Sequence, residues 1–319
     1  MLKILKENIR DAFIDEVIKI AADEKRIVVL DADVGSATRT WKFNEEYPER
    51  FYEFGIAEQN MFGAAAGLAS TGCIVIAATF ATFASMRAAE MIRTSICYPK
   101  MNVKVVGGYA GLSNGKDGAT HQSIEDIAIM RSFPNMVVLN PSDPVMTRKI
   151  AHTIVEYEGP VYIRMEYENT AAIYNDDFNF EIGKGYIHKE GNDVTIISNG
   201  LALARAMEAY EILLAKGIKA EIIDMPTIKP FDEELLLKTA TKTGAIVSVE
   251  EHSVIGGLSS TICDSLVKSH ANPYFKALGI QDLFTESGRT PQLRERYGIG
   301  VNDIVNACIQ LVDSKRRAE

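Results

Sequence analysis

Cys73-Ile-Val-Ile-Ala-Ala78 and Val103-Lys-Val-Val-Gly107 bracket a helical pattern at 83–97. Both runs are short, rich in β-branched residues and almost wholly apolar, without in–out alternation. Strands of this kind lie in a parallel sheet covered on both faces, and an intervening helix supplies the crossover that parallel neighbours need. The rhythm extends outward. Upstream, the pattern predicts a helix over 3–22 with Ile9, Phe13, Val17 and Ile20 at helical spacing, a strand at 27–31 and a helix at 57–71. Downstream it predicts a helix at 124–132, a strand at 136–139, a helix at 143–157 and a strand at 161–164. Such alternation specifies an α/β layered domain.

Residues 166–192 interrupt it. Tyr174-Asn-Asp-Asp-Phe-Asn-Phe-Glu181 is polar and turn-rich, and Gly183, Gly185 and Gly191 follow. We place a domain boundary here, giving units 1–180 and 181–319. A second alternation then predicts strands at 193–198, 219–224, 245–250 and 274–279, with helices at 201–216, 232–241, 256–270 and 301–315. Pro226 and Pro230 close the strand at 219–224, and Asp232 is placed to cap the next helix.

The bulk properties narrow the function. The chain has 319 residues, 47% of them hydrophobic, and a formal net charge of −9. No long Lys/Arg run offers itself to nucleic acid or an anionic membrane surface. No apolar stretch approaches the roughly 20 residues that span a bilayer. The four cysteines, Cys73, Cys97, Cys263 and Cys308, form no C-x-x-C pair and read as buried, reduced thiols, which suits a cytoplasmic protein. The five histidines lack metal-ligand spacing. No G-x-G-x-x-G follows a strand and no P-loop occurs, so neither a dinucleotide nor an NTP site is indicated.

Three segments carry candidate chemistry. In Phe54-Gly-Ile-Ala-Glu-Gln-Asn-Met61, Glu58 stands among apolar residues ahead of the small-residue run Gly63-Ala-Ala-Ala-Gly67. An ordinary first-turn helix glutamate would look the same in isolation. Thr79-Phe-Ala-Thr-Phe-Ala-Ser-Met86 sets Phe80, Phe83 and Met86 on neighbouring parts of one helix face, either as core or as a slot for a flat heterocycle. Gly107-Gly-Tyr-Ala-Gly-Leu-Ser-Asn-Gly-Lys-Asp-Gly-Ala-Thr-His-Gln122 is a glycine-dense loop after a strand, where α/β proteins place ligands.

Taken in order with Arg131-Ser-Phe-Pro-Asn135, these segments resemble the pyrimidine-binding domain of transketolases. Val249-Glu-Glu-His-Ser-Val-Ile-Gly-Gly-Leu258 and Glu286-Ser-Gly288 resemble the transketolase C-terminal domain. The resemblance covers nearly the whole chain. It implies a parallel-sheet domain for the pyrimidine of thiamine diphosphate, followed by the family's C-terminal domain. It implies that Glu58 holds N1′ of the aminopyrimidine and so favours the imino tautomer that takes the thiazolium proton. Phe80, Phe83 and Met86 would form the stacking slot, and Asp33 would lie near the cofactor at a subunit interface. His121 and Asp117 would meet sugar hydroxyls, with His121 also acting catalytically. Arg164, and more softly Arg10 and Ser36, would bind substrate phosphate, for which a guanidinium is well shaped.

Two positions depart from the family pattern: Tyr109 stands where a donor-binding histidine is common, and Lys116 where a glutamate is common. These put the identity of the sugar in doubt. The family's G-D-G with a downstream asparagine, which binds Mg²⁺ and diphosphate, has no counterpart in this sequence. The resemblance therefore implies a partner subunit carrying the diphosphate domain and the metal ligands, in an α2β2 assembly, with ketol transfer from a ketose phosphate to an aldose. The alternatives are a 1-deoxyxylulose-5-phosphate synthase-like subunit, a 2-oxoacid dehydrogenase β-like subunit, or a non-catalytic regulatory paralogue.

Overall fold

The computed structural model describes residues 4–318. The described strands are β1 (Ile4–Asn8), β2 (Ile27–Asp31), β3 (Phe51–Glu53), β4 (Ile74–Phe80), β5 (Val103–Gly108), β6 (Val137–Leu139), β7 (Val161–Arg164), β8 (Asn169–Ala171), β9 (Tyr186–Lys189), β10 (Val194–Ser198), β11 (Ala220–Asp224), β12 (Thr227–Lys229), β13 (Ala245–Ser253) and β14 (Tyr274–Ile280). A seven-stranded sheet runs β12-β6-β7-β5-β4-β2-β3 and a five-stranded sheet runs β14-β13-β10-β11-β9. Within the first sheet β3, β2, β4, β5, β7 and β6 are mutually parallel. In the second, β14, β13, β10 and β11 are parallel and β9 is antiparallel. Strands β2, β5, β7, β10, β11 and β13 are buried along their whole length, including polar members such as Lys104, Glu221 and Glu250.

Most expected elements are present within a residue or two, and the departures have local causes. The helix expected over 3–22 begins at Ile9. Asn8 caps it by accepting from the amides of Arg10 and Asp11 at 3.1 and 3.0 Å, and the residues before it form β1, antiparallel to β8. Residue 3 lies outside the described residues. The helix then buries Ile9, Phe13, Ile14, Val17 and Ala21 on one face. Asp232 caps Glu233–Thr243 as expected, accepting from Leu235 N at 3.0 Å.

The helix expected at 83–97 is not one regular helix. Phe83–Arg87 and Ile92–Cys97 wind with i→i+5 bonds, separated by a short α-helical turn at Ala89–Met91. Such wide turns concentrate at functional sites. The turn-rich stretch 166–192 holds β8 and β9, and the helix Thr290–Arg296 was not foreseen. A cut at 180/181 also divides the first sheet: β12 pairs antiparallel with β6, so the later unit supplies an edge strand to the earlier one. Of the cysteines, Cys97 and Cys308 are buried, but Cys263 is exposed, which corrects the expectation of four buried thiols. Among the described residues no helix is long and apolar enough to cross a membrane.

Candidate active site

The site forms at the carboxyl ends of β2, β4 and β5, where an open parallel sheet leaves room for a ligand. Glu58 is the first residue of the helix Glu58–Ser70 and is 1% exposed. Its two carboxylate oxygens each accept from Arg87 Nη1 at 2.8 Å. Arg87 itself keeps 44% of its side chain exposed. Its guanidinium carbon lies 4.3 Å from the centre of the Phe83 ring. Phe83 and Arg87, four residues apart on the segment wound with i→i+5 bonds, lie on one face of it.

An aromatic chain continues from this point. Phe80, at the end of β4, stacks on Phe83 at 5.9 Å between centroids and on Tyr109 at 4.6 Å. His121 stands edge-on to both phenylalanines, at 5.8 Å from Phe80 and 5.3 Å from Phe83. Its Nδ1 is 2.9 Å from Thr120 Oγ1. Met86 is 47% exposed, with its sulfur 3.9 Å from Thr82 Oγ1. Tyr109 adopts the left-handed conformation (φ +59°), which turns its ring back onto Phe80. Burial raises its phenol above the usual range.

Glu58, Phe80, Phe83, Tyr109 and His121 are thus brought into one continuous cluster. Asp117 lies beside it on the loop, exposed, with Oδ2 accepting from Asn114 Nδ2 at 2.6 Å. A cleft of about 420 Å³ opens there between Tyr109, Lys116, Asp117, Tyr167 and Arg289. Asp33 is exposed on the loop after β2, and Ser36 is exposed on the one-turn helix Gly35–Thr38 that follows it. The Asp33 amide is held by Glu53 Oε1 at 2.8 Å.

The two arginines expected to grip phosphate are placed differently. Arg164 is 0% exposed and all three of its nitrogens are engaged: Nε to Asp126 at 2.9 Å, Nη1 to Glu166 at 3.4 Å, and Nη2 to the carbonyls of Ser123 and Glu251 at 3.2 and 2.8 Å. It joins the first sheet to β13 of the second and is sealed from solvent in this chain, so the expected phosphate contact is not among the contacts it makes here. Arg10 is 3% exposed, donates to the carbonyls of Ala37 and Tyr167, and packs its guanidinium on the rings of Tyr167 and Tyr109 at 4.3 and 5.2 Å. Burial lowers its pKa. It packs against Tyr109 and Tyr167, two of the residues that line the cleft.

Sequence reading missed Arg87, whose only signal was a basic residue four positions after Phe83. It also missed Asp31 at the end of β2. Asp31 accepts from Thr40 Oγ1, Thr38 Oγ1 and the Val34 amide at 2.7, 2.8 and 2.7 Å, fixing the segment that carries Asp33 and Ser36. Burial pushes its carboxyl up to about 6 despite those bonds.

The family models agree with this architecture. Residues 6–171 match the transketolase pyrimidine-binding domain and residues 183–304 the transketolase C-terminal domain. The chain belongs to the transketolase family. A Methanocaldococcus jannaschii protein described as a transketolase C-terminal section is 45% identical, over 95% of this chain and 96% of that one. The 6-deoxy-6-sulfo-D-fructose transketolase subunit of a Clostridium species is 38% identical, over 98% and 97%. Among solved structures, a split-gene transketolase described as an inactive β4 tetramer superposes with a TM-score of 0.89 at 44% identity, covering 96% of this chain and 98% of that one. Transketolase from Campylobacter jejuni shares the fold at a TM-score of 0.80 and 21% identity, with this chain spanning 46% of its length.

Proposed function

We propose that the chain is the pyrimidine-holding subunit of a two-chain, thiamine diphosphate-dependent transketolase that moves a two-carbon ketol unit from a ketose phosphate to an aldose. One observation carries this reading. A carboxylate that is 1% exposed faces a planar cationic N–H donor lying 4.3 Å over a phenylalanine ring. The contacts of the Arg87 guanidinium support it: a flat N–C–N group lies against both Glu58 and Phe83, and an aminopyrimidine with a proton on N1′ offers that same shape and donor.

When bound, thiamine diphosphate supplies the electron sink for breaking the carbon–carbon bond of the donor sugar. The residues of this chain do the rest. Glu58 holds a proton at the ring nitrogen, in a setting from which water is largely excluded. Phe83, backed by Phe80 and flanked by Met86, fixes the ring plane. His121, edge-on at the rim of the slot, and Asp117 beside it can meet sugar hydroxyls and move a proton there. Tyr109 and Lys116 face the cleft where the sugar would lie and set which head group is accepted. Asp33 and Ser36, exposed on the segment braced by Asp31, are placed for contacts at the edge of the site or with a second subunit.

The diphosphate and Mg²⁺ are assigned to a partner chain in an α2β2 assembly. Three similarities support this: relatives of matching length named as transketolase subunits, a transketolase roughly twice as long, and a β4 neighbour described as inactive. Four free thiols and the lack of a membrane-spanning helix among the described residues suit a cytoplasmic enzyme. The experiment is reconstitution. The chain alone should show no ketol transfer, and adding the diphosphate-domain chain with thiamine diphosphate and Mg²⁺ should restore it. Full activity of the chain alone contradicts the two-chain reading. Supplying pyruvate in place of a ketose phosphate separates transketolase from 1-deoxyxylulose-5-phosphate synthase and 2-oxoacid dehydrogenase chemistry.

A further inference from the structure

Arg87 makes both contacts that the slot offers. It donates to both oxygens of Glu58 at 2.8 Å, and its guanidinium carbon sits 4.3 Å from the Phe83 centroid. Two flat donors cannot share one carboxylate edge and one ring face. We infer that Arg87 is a built-in placeholder: it pairs Glu58 and covers Phe83 before the cofactor arrives, and it must swing away for the aminopyrimidine to enter. This rests on the reading of Glu58 and Phe83 as the pyrimidine slot.

The physical case has two halves. Glu58 is 1% exposed, and a carboxylate buried that far without a partner is strongly unfavourable. A stacked guanidinium relieves this and keeps the phenylalanine ring from collapsing onto the helix start. Arg87, by contrast, is 44% exposed, so its head can return to water along its flexible stem at small cost. The placeholder thus stabilises the cofactor-free chain and weakens apparent cofactor affinity, because only the displaced fraction is competent to bind. One nitrogen, Nη1, reaches both oxygens, which a lysine could copy; the flat stacking of the guanidinium on Phe83 is what a lysine lacks.

The test titrates thiamine diphosphate with Mg²⁺, by calorimetry, into the full chain assembled with its diphosphate-domain partner. Arg87→Met should bind about tenfold more tightly than wild type. Arg87→Lys, which keeps the charge for folding, should also bind more tightly, by a smaller factor. Without cofactor, thermal unfolding of wild type, Glu58→Gln, Arg87→Met and the double variant should show coupling between the two positions, and saturating cofactor should abolish it. Unchanged or weaker binding by both Arg87 variants, with wild-type binding intact, overturns the placeholder. Absence of binding by wild type overturns the slot itself, a separate and recognisable failure.

Discussion

Two arginine–carboxylate pairs in this molecule have nearly the same geometry and opposite characters. Arg87 meets Glu58 at 2.8 Å, and Arg164 meets Asp126 at 2.9 Å. Arg164 and Asp126 are both fully sealed, and Arg164 has three further acceptors. Around them Glu251 is paired with Arg205 at 2.7 Å and with Arg294 at 2.5 Å. These two arginines hold Glu251 ionised, down to about 2, whereas burial and the neighbouring Glu251 charge push Glu166 up to about 7. Arg87 has one carboxylate partner and water on its other side. An ion pair of given length is a structural joint when both ends are dry. It is exchangeable when one end is wet and the dry end accepts any flat donor.

The comparison breaks most visibly at the sealed pair. Arg164→Met should remove about 3–5 kcal/mol of folding stability, measured by urea denaturation, because Asp126 is left buried without its cation. A loss below about 1 kcal/mol would mean that water reaches the joint and that the contrast with Arg87 is false. The same substitution should leave cofactor affinity little changed in any complex that still assembles, since no atom of Arg164 faces the slot.

A smaller effect sharpens the contrast through pH. Glu250 is fully buried, accepting from the amides of Leu258 and Ser259 at 2.7 and 2.9 Å, and burial raises its carboxyl to about 7. Its pKa is higher folded than unfolded, so its contribution to stability is present below the unfolded value near 4.5 and is lost as pH rises through about 7. Glu250→Gln cannot ionise. The stability of wild type relative to this variant should therefore fall between pH 4.5 and 7, by at most about 3 kcal/mol, and then level off. His252, whose Nδ1 lies 3.8 Å from Glu250 Oε2, is pushed down to about 4 by burial and works in the opposite direction, so both proteins are compared in a His252→Gln background. A difference that is flat with pH would show that Glu250 is hydrated.

These contrasts also mark where the sequence could be read. Glu58, Phe80 and Phe83 were singled out as candidates because strand end, aromatic spacing and helix start are local patterns, and their expected roles came from the resemblance of the ordered set of motifs. Arg87 was not, because an arginine in a helical pattern ordinarily reads as a solvated charge, and nothing local shows that Glu58, 29 residues earlier, lies within its reach. The fate of Arg164 depends on Asp126 and on the Glu251 carbonyl, 38 and 87 residues away, which no local pattern encodes. The parallel order of the sheets follows from continuous apolar runs. β12 escaped notice because it is three residues long, lies between Pro226 and Pro230, and crosses to the sheet of the preceding unit.

The central claim is that the Glu58 carboxylate holds the proton on the cofactor's ring. Ketol transfer by the assembled complex, compared between wild type and Glu58→Gln at saturating thiamine diphosphate and Mg²⁺, tests it most directly. The account predicts a fall in turnover of about 100-fold or more, with the assembly intact by light scattering. Turnover within about twofold of wild type would contradict it, since a general acid–base group is worth far more than that.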